Sequence, residues 1–233
     1  MTNIMNKILI KFGYRLSKIS FGQGMNEHYV LYNYLDKNGN FNYEEYRNIQ
    51  VLGNKQKLDK VWVKEENIVF LSRYIKTLIN SPSFGICHGT RRGKEQEWFA
   101  KNLDCNVIGT EISETAEQFP NTIQWDFHKV KPEWLNSVDF IYSNSFDHSY
   151  NPGDCIVTWM SCLKTGGVCI LEHTSGHGIS DASELDPFGA DLVLMPYLIL
   201  KWGKGKFAVR DILEAPIKPG RISESHFIII QNN

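Results

Sequence analysis

The sequence predicts an α/β protein, a doubly wound, mostly parallel sheet of seven strands preceded by an N-terminal helical appendage. Three observations predict it. From Ser83 onward, short apolar runs rich in β-branched residues alternate with stretches of helical spacing, as in parallel strands joined by crossover helices. The Ser81-Pro82 pair interrupts the helical pattern before this series, so residues 1–80 are read as the appendage and residues 81–233 as the main domain. Glycines and acidic residues follow the first runs, at the strand ends where an open α/β sheet presents its ligand crevice.

The five predicted parallel strands are residues 84–87, 107–110, 122–125, 138–142 and 168–171. Between them, residues 94–103, 114–119, 132–135 and 155–163 have apolar spacing that suits helices on the sheet faces. Right-handed crossovers wind these units into a layered sheet. After His173 comes a long segment containing Asp186-Pro187-Phe188-Gly189, then two strands near 207–213 and 226–231 that close the sheet as an antiparallel pair. A connection that long suggests a lid or an acceptor site.

In the appendage, the segment from Asn40 to Arg47 begins like a capped helix, and Ile68, Leu71, Ile75, Leu78 and Ile79 mark one face of another. Residues 1–20 read as an amphipathic helix, with Lys7, Lys11, Arg15 and Lys18 set against Ile4, Ile8, Phe12, Leu16 and Ile19. Docking on the same chain is the commoner fate of such a helix than lying on an anionic membrane.

Composition narrows the function classes. At 233 residues, 42% of them hydrophobic and 22% charged, the chain suits one main globular domain. A formal net charge of −1 supplies no field for a polyanion, so no nucleic-acid partner is expected. Five cysteines, an odd number without a CxxC pair, suggest neither a disulfide framework nor a zinc site. A reducing, cytoplasmic setting follows as the expectation, and no apolar run is long enough for an integral membrane segment.

The candidate functional residues sit after the strands. The first strand runs into Cys87-His88-Gly89-Thr90-Arg91-Arg92-Gly93, where two glycines permit a tight turn and let backbone amides face a ligand. Glu111 ends the second strand 22 residues beyond Gly89, with Ile112 next. That spacing suits a carboxylate receiving ribose hydroxyls, since it offers two acceptor oxygens and no competing donor. The same segment, Glu111-Ile-Ser-Glu114, also suits a helix cap. Trp125-Asp126-Phe127-His128 follows the third strand and combines an aromatic surface with an acceptor for an adenine amino group. A core tryptophan with an aspartate in a turn is the plainer alternative.

The fourth strand delivers Asn144, Ser145, Asp147 and His148, and the fifth ends at Glu172-His173 with His177 close behind. Histidines at this edge, His148 and His173 first, are the candidate catalytic bases. Asp147, His148, His173, Asp181 and Asp186 match no metal motif in their spacing, so no metal is assigned. Arg91 and Arg92 suit an acidic acceptor or a cofactor carboxylate, or are solvated surface arginines.

The glycine turn, the acid after strand two, the aspartate after strand three and Leu163-Lys-Thr-Gly-Gly167 before strand five occur in the order seen in class I S-adenosylmethionine-dependent methyltransferases, which this sequence resembles over residues 81–171. Cys87-His-Gly-Thr-Arg91 and Asn144-Ser-Phe-Asp-His-Ser-Tyr-Asn-Pro152 look like bacterial methyltransferase-domain proteins whose acceptors are mostly unassigned. The resemblance implies a Rossmann-like fold and S-adenosylmethionine as cofactor. Cys87, His88, Gly89 and Thr90 would approach its methionine part, Glu111 and Ile112 the ribose, Asp126 and Phe127 the adenine, and Asn144 and Ser145 the sulfonium. Gly85 stands where the family places its usual first-turn acid, and Cys87 and Arg91 replace glycines of the common Gly-x-Gly-x-Gly.

The implied reaction is methyl transfer to an oxygen or nitrogen of a small-molecule acceptor, with a sugar or nucleotide-linked sugar suggested by the family neighbourhood. Two rivals remain open. An NAD(P)-dependent reductase shares the ribose acid and glycine turn but lacks Gly-x-Gly-x-x-Gly here. A catalytically inactive module that keeps the fold and binds a partner is the other. The appendage is expected to roof the acceptor pocket, with a homodimer contact as its alternative role.

Overall fold

A computed structural model describes residues 23–25, 28–220 and 222–232; the amphipathic helix expected over residues 1–20 lies outside the described residues. The chain opens with two short strands, β1 (Gln23–Met25) and β2 (Val30–Tyr32), and two helices, α1 (Tyr43–Gln56) and α2 (Glu65–Leu78). Then β3 (Phe84–His88), α3 (Lys94–Leu103), β4 (Asn106–Glu111), β5 (Thr122–Gln124) and β6 (Val138–Ser143) follow. The remainder is α4 (Pro152–Cys162), β7 (Leu163–Thr174), β8 (Phe188–Gly189), α5 (Met195–Gly203), β9 (Phe207–Glu214) and β10 (Ser225–Asn232).

Seven strands form one sheet in the order β5-β4-β3-β6-β7-β10-β9. The first five are parallel, while β10 runs antiparallel to both β7 and β9. From β3 the chain winds outward to β4 and β5, then returns to β6 on the other side of β3. Strand order therefore reverses between β3 and β6, the position outside whose carboxyl ends an open α/β sheet presents its ligand crevice.

Both faces of the sheet are covered, so its central strands are apolar at nearly every position. Side chains alternate between the faces with period two. Ile86, Ile141, Leu171 and Ile228 join one core with Ile156, Trp159 and Leu198 of α4 and α5. Cys87, Phe140, Tyr142 and Ile229 join the other with Ile68, Leu71 and Ile75 of α2 and Phe99 of α3. All five cysteines are free thiols. No helix among the described residues is long and apolar enough to cross a membrane.

Three local features depart from the sequence expectation. Residues 114–118 and 132–134 are short 3-10 turns, because each segment is too brief to repay helix nucleation and the second begins with Pro132. Helix α5 fills part of the long connection; its apolar residues pack beside α4 in the first core. The appendage also contains strands, since β2 pairs with β1 and, antiparallel, with β8 from that same connection. Pairing partners more than 150 residues apart leave no local signal in so short a run as Val30-Leu31-Tyr32.

Candidate functional site

The turn after β3 lies at the mouth of the crevice. Gly89 and Gly93 adopt left-handed backbone with φ of 74° and 71°, and Arg91 joins them at 39°. A side chain at Gly89 would press within 2.7 Å of the Ser145 Cβ, so glycine lets the β3 and β6 ends close together. Three of the turn's amides are already engaged: Gly89 and Thr90 N–H both donate to Thr110 O (2.8 and 3.1 Å), and Gly93 N–H donates to Thr90 O (2.8 Å). These bonds tie the turn to β4 and to itself.

Glu111 ends β4 with its side chain tucked inward, 6% exposed. Its Oε1 accepts the Ser113 N–H at 3.0 Å. Burial raises the pKa of this carboxyl above the ordinary glutamate value, opposed by the Ser113 amide and by His148. Asp126, beyond β5, is similarly enclosed but densely hydrogen-bonded. Its Oδ1 accepts the His128 backbone N–H (3.0 Å) and pairs with His128 Nδ1 (2.8 Å), while Oδ2 accepts the Tyr43 hydroxyl (2.9 Å). Burial works against ionisation of Asp126, yet His128 and Tyr43 outweigh it and hold the carboxyl below its usual range. Burial in turn keeps His128 below the usual imidazole value despite Asp126.

Glu111 and Asp126 line one cleft, together with Gly89, Ile112, Phe127 and Ser145. Phe127, not Trp125, supplies the aromatic wall; Trp125 turns away onto Trp134 and donates its Nε1–H to Lys129 O (2.7 Å). Helix α1 forms the facing wall. Its cap is Asn42, whose side chain accepts the Glu45 N–H at 3.2 Å. Tyr46, Gln50, Gly53, Asn54 and Lys57 fall on one stripe of the helix and line the cleft. The stripe is largely polar yet buried, and its bonds explain why: Tyr46 Oη donates to His148 O (3.2 Å), Gln50 Nε2 to Leu185 O (2.9 Å), and Asn54 Oδ1 accepts the Thr115 hydroxyl (2.8 Å).

The other predicted residues divide. His148 reaches this cleft, with its Nδ1 2.8 Å from Gln50 Oε1. His173 does not: it is buried among the last residues of β7 and bonded through Nε2 to Ala190 O at 2.9 Å, and burial drives its pKa to about 4. Cys87 is a core residue of the face shared with α2 and α3. His88 lies beneath the turn, stacked on Trp159 with ring centres 4.5 Å apart and bonded through Nδ1 to Thr110 Oγ1 (2.8 Å); burial takes its pKa to about 3. Neither lines the cleft.

Thr90 and Asn144 line a second, smaller pocket of about 290 Å³ that adjoins the cleft through Gly89, Arg91 and Ser145. Sequence reasoning missed Glu95 in that pocket, a first-turn residue of α3 whose pKa burial pushes to about 8. It also missed Tyr43, Tyr46 and Gln50. A polar stripe at helical spacing was visible in α1, but its burial was not.

No family model matches the chain, and no curated protein matches its sequence. The architecture is nevertheless that of a class I S-adenosylmethionine-dependent methyltransferase fold. Similar solved structures include a Burkholderia thailandensis 1,6-didemethyltoxoflavin-N1-methyltransferase with bound 1,6-didemethyltoxoflavin and S-adenosylhomocysteine, at 12% identity over 90% of this chain and 97% of that one, TM-score 0.64. The plantazolicin methyltransferase BpumL, in complex with a triazolic desmethylPZN analog and S-adenosylhomocysteine, is 13% identical over 82% and 98% of the two chains, TM-score 0.60. A TehB-like S-adenosylmethionine-dependent methyltransferase from Corynebacterium glutamicum is 13% identical over 82% and 100%, TM-score 0.53.

Proposed function

We propose that this chain binds S-adenosylmethionine in the cleft between Glu111 and Asp126 and transfers its methyl group to an oxygen or nitrogen of a small molecule. The observation that carries the reading is the meeting of those two carboxylates in one enclosed cleft at the reversal of strand order. The donor set fits the cofactor. Glu111 offers a buried carboxylate to a cis-diol, and Asp126 Oδ2, accepting Tyr43, has a further lone pair for an amino group. Ile112 and Phe127 supply apolar walls for a planar base. The smaller pocket suits an amino-acid tail, with Glu95 for the ammonium and Arg91 or Arg92 for the carboxylate.

When bound, S-adenosylmethionine supplies a methyl group already activated on a sulfonium, so the protein's work is alignment and exclusion of water. Helix α1 closes the cleft over Glu111 and Asp126, which supports the appendage as a roof. The solved neighbour that holds 1,6-didemethyltoxoflavin supports a small heterocyclic acceptor with a reacting nitrogen.

Calorimetry on the full chain tests the cofactor. One S-adenosylmethionine or S-adenosylhomocysteine per chain, with no heat from NAD or NADP, is the expected result. Binding of a dinucleotide in place of both would overturn the proposal in favour of a reductase. Label from methyl-labelled S-adenosylmethionine should then pass to a member of a panel of heterocycles, hydroxylated compounds and sugar nucleotides. Cofactor binding without transfer to any extract would favour an inactive module.

A further inference from the structure

Gln50 Nε2 donates to Leu185 O at 2.9 Å, which fixes the orientation of the amide and aims Oε1 at His148. His148 Nδ1, 2.8 Å from that oxygen, must therefore carry a proton. The other ring nitrogen, Nε2, lies 3.5 Å from Oδ1 of Asp186, close enough for one cation to touch both atoms.

Asp147 adds a third. Its side chain is 9% exposed, and Oδ1 is enclosed without any hydrogen-bond partner. Its other oxygen faces His177 Nε2 at 3.7 Å, and His177 Nδ1 accepts the Thr174 N–H at 3.4 Å, so Nε2 holds the proton of that ring. One oxygen or nitrogen from each of Asp147, His148 and Asp186 lies within 4.8 Å of the others. Ligand atoms about 2.1 Å from a shared cation sit at most about 4.2 Å apart, so small side-chain rotations would close the set.

We propose that Asp147, His148 and Asp186 form a binding site for one divalent first-row transition-metal cation, Mn²⁺ in the first instance. Two carboxylates neutralise the ion, and the mixed oxygen and imidazole set suits Mn²⁺ better than Ca²⁺, which prefers oxygen alone. Gln50 orients the ligating ring through its far nitrogen, as outer partners of metal-bound histidines do. Three protein ligands leave coordination positions for water or an acceptor oxygen at the rim of the cleft that His148 lines. The cation would join the β6 end to the segment before β8, and it would make His148 a ligand instead of a general base.

The test uses the full chain stripped with a chelator and titrated with MnCl₂, followed by calorimetry and by the electron paramagnetic resonance of free Mn²⁺. No S-adenosylmethionine is present, so the outcome is independent of the methyl-transfer reading. The expected result is one Mn²⁺ per chain at micromolar affinity, weakened at least about tenfold by Asp147→Asn and by Asp186→Asn, and about tenfold or more by Gln50→Leu. Asp186 is partly exposed, so Asp186→Asn remains informative should the buried variants fold poorly. Absence of binding by the unaltered protein at millimolar Mn²⁺, or affinity unchanged in Asp186→Asn, would overturn the proposal. His148 and Asp186 would then be an ordinary pair with the ring protonated.

Discussion

Replacing Glu111 by glutamine tests the proposed ribose contact separately from the fold. The side chain keeps its shape, and its carbonyl can still accept the Ser113 N–H that Oε1 accepts at 3.0 Å. The new amide is then left at the other position, where it donates toward a diol that also donates. Hydrogen bonds to a charged acceptor contribute about 1.5–3 kcal/mol each. Losing one bond and the charge should cost about 2–3 kcal/mol of binding, or roughly 30–150-fold in Kd.

Stability should move the other way. Burial raises the Glu111 pKa in the folded state, so ionisation opposes folding, and that opposition grows as pH rises from the unfolded pKa through the folded one. A neutral glutamine removes the penalty, and the melting temperature at pH 7 should stay level or rise. Calorimetry with S-adenosylhomocysteine beside a thermal melt measures both quantities. A Kd within threefold of the unaltered protein, in a variant that melts normally, would refute the assignment of Glu111 to the cofactor.

Tyr43→Phe removes one donor from Asp126 Oδ2 and should raise the pKa of that carboxyl. Asp126 is held low in the folded state, so its contribution to stability is present above the unfolded value and lost as pH falls through the folded one; in the variant the amount lost should be smaller and the loss complete at a higher pH. Melts between pH 3 and 7 should show it, with cofactor affinity reduced about three- to tenfold at neutral pH. Glu95 has the opposite sign, with a folded pKa of about 8 against an ordinary 4.5, so its burial costs stability increasingly across that interval. Glu95→Gln should flatten the decline and raise the melting temperature near pH 8.5 by roughly 3–10 °C, for a gain of about 1–3 kcal/mol; parallel pH profiles for the two proteins would contradict it.

Much of the sheet could be read from the residues because each central strand carries its own signal. Val168 to Leu171 is apolar at every position and Val138 to Tyr142 at every position but Asp139, as burial on both faces requires. Glu111 and Asp126 were found for a related reason: in a parallel sheet, residues just past the strands share one edge, so chain position already implies proximity. His173 shows the limit of that rule. The expected strand ended at Leu171, but β7 runs on to Thr174, so His173 is still part of the sheet; β7 also lies one strand further from the reversal of order, and the imidazole turns to Ala190 O. Cys87 and His88 fail as cleft residues because alternation sends them to opposite cores before the turn begins.

The amino-acid sequence alone determined the layered α/β architecture, the strand positions and the pair of acids at the crevice, since these follow from short-range periodicity and from the ends it defines. Only the tertiary structure decided that α1 walls the cleft, that Tyr43 reaches Asp126, and that Gln50 and Asp186 meet His148. Those contacts join residues from 38 to 98 positions apart through polar side chains. A polar residue at helical spacing looks the same whether solvent or a second polar group will cover it, and the choice is made when the separate segments pack together.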